Sequence, residues 1–266
     1  MFELPHQLPL WGVFLGLLSV SDAMRQFTRF HFKDSNFRIC SDYPEEVIRA
    51  IRVVRAQLEA YIERHPEFRS AFHPLSVMPE APPIARRMAR GGVLAGVGPM
   101  AAVAGAIAQA AAEAALQRGA SEAIVENGGD LYAHSPRPVV VGLYTGPSSP
   151  LSGVSLRLRR GDMPIAVCSS SGMMGHSVSR GACDLATVLA EDAALADAAA
   201  TLGSNLVRTA DDIGGALAAL EGIRGIRAAI LVKDDRVGMC GNLPELVRVP
   251  QPDIAAAVTR DPGSTG

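Results

Sequence analysis

The chain has 266 residues, of which 48% are apolar and 20% charged, with 25 basic and 27 acidic side chains giving a formal charge of −2. A chain of this length buries a substantial core. Its near-neutral balance offers no field to a polyanion, so nucleic acid and an anionic membrane are excluded as expected partners. The four cysteines, Cys40, Cys168, Cys183 and Cys240, are dispersed, with no C-x-x-C pair and no histidine at zinc spacing. Reduced thiols in a cytoplasmic protein are therefore the expectation.

Leu8 to Val20 is an apolar run of thirteen residues, too short to span a bilayer as a helix. It has the length of an export-signal core, but Met1 to Gln7 contains Glu3 and no Lys or Arg. Residues 1–23 are accordingly read as an extension outside the core, with a weak export signal or a segment packed on a partner as the alternatives.

From Phe27, FTRFHF and FRIC flank the polar turn KDSN, which predicts a hairpin. Pro44, Glu45 and Glu46 open a helix, because proline suits the first turn and acids suit its positive end. Ile48, Ile51, Val54, Leu58 and Ile62 carry the helix to about Arg64. His65 to Pro83 reads as irregular. Past the glycines at 96 and 98, the alanine-rich run to Gln117 predicts a second long, buried helix.

Strands are predicted at 122–126, 138–144, 154–158, 165–169 and 185–190. A helix bearing Asp197 follows, then a helix at 212–221 and strands at 228–233 and 237–240. Residues 251–266 read as a mobile tail. The predicted fold class is α+β, antiparallel sheets with helices packed on them, because strands come in pairs around helix pairs. One domain over residues 24–250 is expected, with pseudo-repeats at about 24–135 and 136–250.

Candidate chemistry concentrates in five places. Gly96-x-Gly98-x-x-Ala101 has dinucleotide-fingerprint spacing without the full preceding strand, so its glycines are read either as backbone facing a phosphate or as tight helix packing. Asn127-Gly128-Gly129-Asp130 is a strand-end turn that either aims an acid into a site or simply closes a hairpin. Ser169, Ser170, Ser171 and Gly172 offer donors to a phosphate or ring carbonyl, next to Cys168 as a candidate reactive thiol. His176 and Asp184 are candidate catalytic groups, although no G-x-S-x-G elbow accompanies them.

Asp197 and Thr201 lie one helical turn apart, with Leu195, Ala199, Leu202 and Leu206 on the stripe that the core would take. The polar pair reads as a solvated face, as a seat for a hard cation, or as a surface facing phosphate.

In this order the motifs resemble the ApbE superfamily, the magnesium-dependent FAD:protein FMN transferases. The resemblance runs through ENGGDL, SSSGMMGHS and LADAAAT. With AGVGPMAAVAGAIAQ, it is closer to an uncharacterised ApbE-related branch, over roughly Met24 to Val249.

The resemblance implies a duplicated ββααββ, T-fold-like domain. It also implies Mg2+ at Asp197 and Thr201, FAD as the flavin nucleotide ligand, and a protein threonine as acceptor of FMN. The family's His-x-x-Asp-Pro stretch is replaced here by His176 followed by Ser177, Val178, Ser179 and Arg180. Two alternatives accompany this reading. One is a sulfide-assimilation or homocysteine-forming enzyme using Cys168 or Cys183. The other is a non-catalytic ligand-binding protein whose alanine-rich helices join copies of the chain into a homo-oligomer.

Overall fold

A computed structural model describes residues 25–144, 149–171 and 182–249, together with the backbone of 14–18. His176, Gly172 and the tail beyond Pro250 lie outside the described residues.

Two blocks of the chain repeat one order of elements. The first runs through strands β2 (Thr28–Phe32) and β3 (Ser35–Ser41), helices α1 (Pro44–Arg64), α2 (Glu67–Ser70), α3 (Pro83–Ala95) and α4 (Val103–Gln117), then β4 (Ala123–Asn127) and β5 (Asp130–His134). The second comprises β8 (Ile165–Ser170), β9 (Leu185–Ala190), α5 (Ala193–Leu206), α6 (Ile213–Glu221), β10 (Ile226–Lys233) and β11 (Arg236–Gly241). Their strands form one eight-stranded antiparallel sheet in the order β11-β10-β9-β8-β5-β4-β3-β2. The blocks meet where β5 pairs with β8, with Asp130 opposite Cys168. This is the α+β, antiparallel, duplicated class that the sequence predicts.

Between the blocks, β6 (Val139–Tyr144) and β7 (Val154–Leu158) leave this sheet. They build a four-stranded one in the order β1-β6-β7-β12, where β1 is Phe14–Leu18 and β12 is Glu245–Arg248. Part of the stretch expected outside the core is thus an edge strand, its backbone laddered on β6 from Phe14–Tyr144 to Leu18–Val140.

The large sheet is covered on both faces, which is why β4 and β8 read as nearly continuous apolar runs instead of alternating ones. Side-chain alternation sends Val125, Cys168, Ala186 and Val188 to the helices, and Ile124, Leu131, Val167 and Leu189 to the small sheet. Each fully buried Leu, Ile or Val in these layers contributes roughly 1.5–3 kcal/mol.

The helical layer is built on small residues. Among the described residues, Pro99–Gln117 is apolar and long enough to cross a membrane, but Ala106, Ile107, Ala108 and Ala111 are completely covered within this layer.

Helix α3 begins where the stretch read as irregular ends and covers residues to which the sequence reading assigned no element. Gly91 and Gly92 depress helix propensity, yet close packing requires them: a Cβ on Gly91 would lie 2.5 Å from the Ala194 carbonyl oxygen of α5, and one on Gly92 2.8 Å from that of Val97.

Candidate functional site

Helix α5 is buried on nearly all sides, because α3, α4, α6 and the large sheet surround it. Its polar stripe is inside: Asp197, Thr201 and Ser204 are all buried, whereas Leu206 on the supposedly core-facing stripe is exposed. The solvated-face reading of Asp197 and Thr201 therefore fails.

Gly105 brings α4 onto this stripe. A side chain there would put Cβ 2.4 Å from the Ala193 carbonyl oxygen and 3.0 Å from the Asp197 Cβ. At this contact the Gly105 N–H donates to Asp197 Oδ2 at 2.9 Å. The N-cap residue of α4, Ala102, has no capping side chain, so Asp197 takes over part of that role from another helix. Burial pushes the Asp197 carboxyl up to about 7, against the lowering effect of the Gly105 and Ala104 N–H groups.

Asp130 sits across from it at the head of β5. The turn before it needs glycines, with Gly128 at φ 60° and Gly129 at φ 108° closing a two-residue hairpin that pairs Asn127 with Asp130. The Ser169 N–H donates to Asp130 Oδ1 at 3.2 Å. Asp130 is buried, and its pKa is raised well above the carboxylate range, first by desolvation and next by the Asp197 charge. Next in size come hydrogen bonds from Cys168 and the Ser169 N–H, which lower it, and the Glu126 charge, which raises it. Asn127, also buried, donates from Nδ2 to the Ala104 carbonyl at 3.2 Å and so ties this turn to the start of α4.

The remaining predicted residues divide. Gly96 ends α3 in the left-handed region at φ 71°, whereas Gly98 packs where a Cβ would meet the Ala71 carbonyl oxygen at 1.8 Å, so a helix end accounts for the first and close packing for the second. Ser169 shares a hydroxyl hydrogen bond of 2.7 Å with Thr187. Strand alternation places that hydroxyl opposite in sense to Cys168, toward the small sheet. Ser171 donates to the Cys183 carbonyl at 3.4 Å, and Ser170 is half-buried on the helix-facing side.

Asp184 accepts from the Asp234 N–H at 2.6 Å and pairs with Lys233 at 3.5 Å, which makes it a clamp on the β10–β11 turn. Cys168 is fully buried, with its thiol 3.6 Å from the Ala193 carbonyl oxygen. Desolvation and the Asp130 and Asp197 charges push it well up, and burial raises Cys183 to about 11. Both environments oppose a thiolate, the reverse of what a reactive cysteine needs.

Gln109, which sequence reasoning passed over, accepts the Ala193 N–H at 2.7 Å and donates to Glu113 at 2.9 Å. An amide in the middle of an alanine run is its available signal.

The groups that meet here are the Asp197 and Asp130 carboxylates, the Cys168 thiol and the start of α4, with the Thr201 hydroxyl one turn along α5 from Asp197. The Thr201 side chain makes no hydrogen bond among the described residues, although the residue is only 7% exposed. Among the described residues neither carboxylate forms an ion pair, and such oxygens beside the Thr201 hydroxyl suit a hard divalent cation.

This architecture and site define a protein of the ApbE fold. A variant of the flavin transferase ApbE from Vibrio cholerae superposes with a TM-score of 0.53 at 13% identity, over 82% of this chain and 97% of that one. The flavinyl transferase ApbE of Pseudomonas stutzeri gives 0.53 at 14% identity, over 84% and 96%.

The family model described as AbpE bacteria matches residues 22–220, and the chain belongs to that family. Among its relatives, a UPF0280 protein of Methanocella arvoryzae is 38% identical over 227 residues, covering 85% of this chain and 92% of its own length. The UPF0280 protein MJ1526 of Methanocaldococcus jannaschii is 41% identical over 199 residues, covering 73% of this chain and 80% of its own.

Proposed function

We propose that the protein is an ApbE-like enzyme that binds the phosphate portion of FAD at a divalent-cation site held by Asp197 and Thr201, and cleaves the FAD phosphoanhydride. The observation that carries this reading is the inward-facing Asp197–Thr201 pair, buried between α4 and the block junction. Fold similarity to flavin transferases and family membership support the substrate class.

An acceptor hydroxyl, from a protein side chain or water, forms the new P–O bond to the FMN phosphorus. The P–O bond to AMP breaks, AMP leaves as the phosphate, and the hydroxyl proton passes to a base. Mg2+, when bound, offsets charge on the pyrophosphate oxygens.

The chain's own groups position this chemistry. The Gly105 N–H fixes the Asp197 carboxylate, and Asn127 fixes the Ala104 carbonyl. Asp130 holds the Ser169 backbone that leads into the Ser-Ser-Gly loop. The buried setting gives each of these dipoles more weight than it would have in water.

Incubation of purified protein with FAD and Mg2+ is expected to yield AMP together with FMN or protein-bound flavin, and Asp197→Ala is expected to abolish this. Absence of FAD binding, AMP and FMN in the wild type would overturn the proposal.

A further inference from the structure

Within that cation reading, we propose that Asp130 is a direct ligand of the cation, so that the site in this protein carries two carboxylates, one from each block of the fold. The placement argues for it. Asp130 begins β5 and faces Cys168 across the β5–β8 ladder. The Cys168 thiol touches the Ala193 carbonyl, one helical turn ahead of Asp197 on α5. Alternation along β5 turns Asp130 to the same side as Tyr132, toward the helices and therefore toward α5.

Two buried carboxylates facing one another hold protons in the absence of a positive partner, and a cation is what lets both ionise together. Among the described residues, the largest influences on Asp130 besides burial are the Asp197 charge and hydrogen bonds from Cys168 and the Ser169 N–H, and Asp130 forms no ion pair. The Thr201 hydroxyl is an independent sign of a ligand. It lies one turn beyond Asp197 on the buried stripe, is nine-tenths covered, and makes no hydrogen bond among the described residues. A cation between α5 and the head of β5 would take an oxygen from each carboxylate and from this hydroxyl. It would leave Asp197 Oδ2 on the Gly105 N–H and Asp130 Oδ1 on the Ser169 N–H.

The test is Mn2+ binding to the full chain, read as loss of the free-Mn2+ paramagnetic resonance signal, with Mg2+ competition and Mn2+-dependent melting temperature alongside. Wild type, Asp130→Asn and Asp197→Asn are compared. Tighter wild-type binding by at least tenfold than in both variants supports the inference. So does an Asp130→Asn protein that melts no lower than wild type without metal yet loses the Mn2+-dependent rise. That combination separates ligation from a structural role, since removing one of two like charges relieves repulsion.

Binding weakened only by Asp197→Asn overturns the role of Asp130 and leaves the Asp197–Thr201 site standing. Wild-type protein that binds no Mn2+, or whose binding neither substitution changes, overturns the cation site itself. Should Asp130→Asn not fold, Asp130→Glu replaces it. That variant keeps the charge at a longer reach, and unchanged Mn2+ affinity in it would count against direct ligation.

Discussion

The Gly105 N–H and the Asp197 carboxylate meet at 2.9 Å across two helices whose backbones touch there. The relationship ties packing to the site, because the hydrogen bond exists only while residue 105 lacks a side chain. Gly105→Ala must displace either the Ala193 carbonyl or Asp197, with an expected cost of about 1–3 kcal/mol, the range for overpacking a filled core. Urea unfolding should show this as a lower midpoint at unchanged slope. Cation affinity should fall with it. A variant as stable as wild type would mean that the two helices are not in contact at this point.

The site should also govern how stability depends on pH. The Asp197 pKa is raised to about 7 and that of Asp130 is raised as well, so the folded protein holds protons that the unfolded chain releases near pH 4. In metal-free protein, stability should therefore fall as pH rises from about 4 through about 7, with Asp130 acting in the same direction as Asp197. Asp197→Asn should flatten that slope. Melting temperatures in EDTA across this window are the measurement, and a stability that climbs with pH through it would contradict the raised values.

Much of the fold was legible because its signals are local. The α1 apolar spacing, the Asn-Gly-Gly-Asp turn and the glycine- and proline-bounded strands each specify their element within a few residues. What escaped depends on distant chain. Helix α3 contains Gly91 and Gly92, which look like a break until the α5 backbone lies against them.

Strands β6 and β7 were recognisable as strands, but nothing in Val139–Tyr144 says that they join a second sheet with β1 and β12. At the site, i to i+4 spacing put Asp197 and Thr201 on one face but left open whether water or α4 covers it. The serine run hid its parity: with Cys168 facing the helices, Ser169 faces the other way. Asp184 looked catalytic because its turn partners, Lys233 and the Asp234 N–H, lie about fifty residues on.

At the opposite end of β4, Glu122 gathers a buried ion-pair network. Arg25 pairs with it at 2.8 Å and Arg137 at 2.9 Å, while Cys40 and Ser135 donate to it as well. Although burial alone would raise it, the bonds from Arg25 and Ser135 bring its pKa down to about 2. Its contribution is complete above pH 4.5 and is lost as pH falls toward 2, a dependence opposite in sign to that of Asp197. Glu122→Ala leaves the almost fully covered Arg25 guanidinium uncompensated, and an expected loss of about 3–5 kcal/mol follows. Denaturant titration at pH 7 measures it. A loss under about 1 kcal/mol would show that the network behaves like an exposed pair.

The cysteines give the last expectation. Cys40, Cys168 and Cys183 are buried and Cys240 is half-buried, and each thiol pKa is raised by desolvation first. In native protein Cys240 should therefore react first with a thiol reagent such as 5,5′-dithiobis(2-nitrobenzoate). The other three should wait for unfolding, since the thiolate is the reacting species. Cys168→Ser replaces the thiol with a hydroxyl that can still donate toward Asp130 or the Ala193 carbonyl, and it should leave AMP release from FAD within about threefold of wild type, under 1 kcal/mol in barrier. Rapid native labelling of Cys168, or loss of all turnover in Cys168→Ser while Mn2+ still binds, would return the sulfur chemistry to this site.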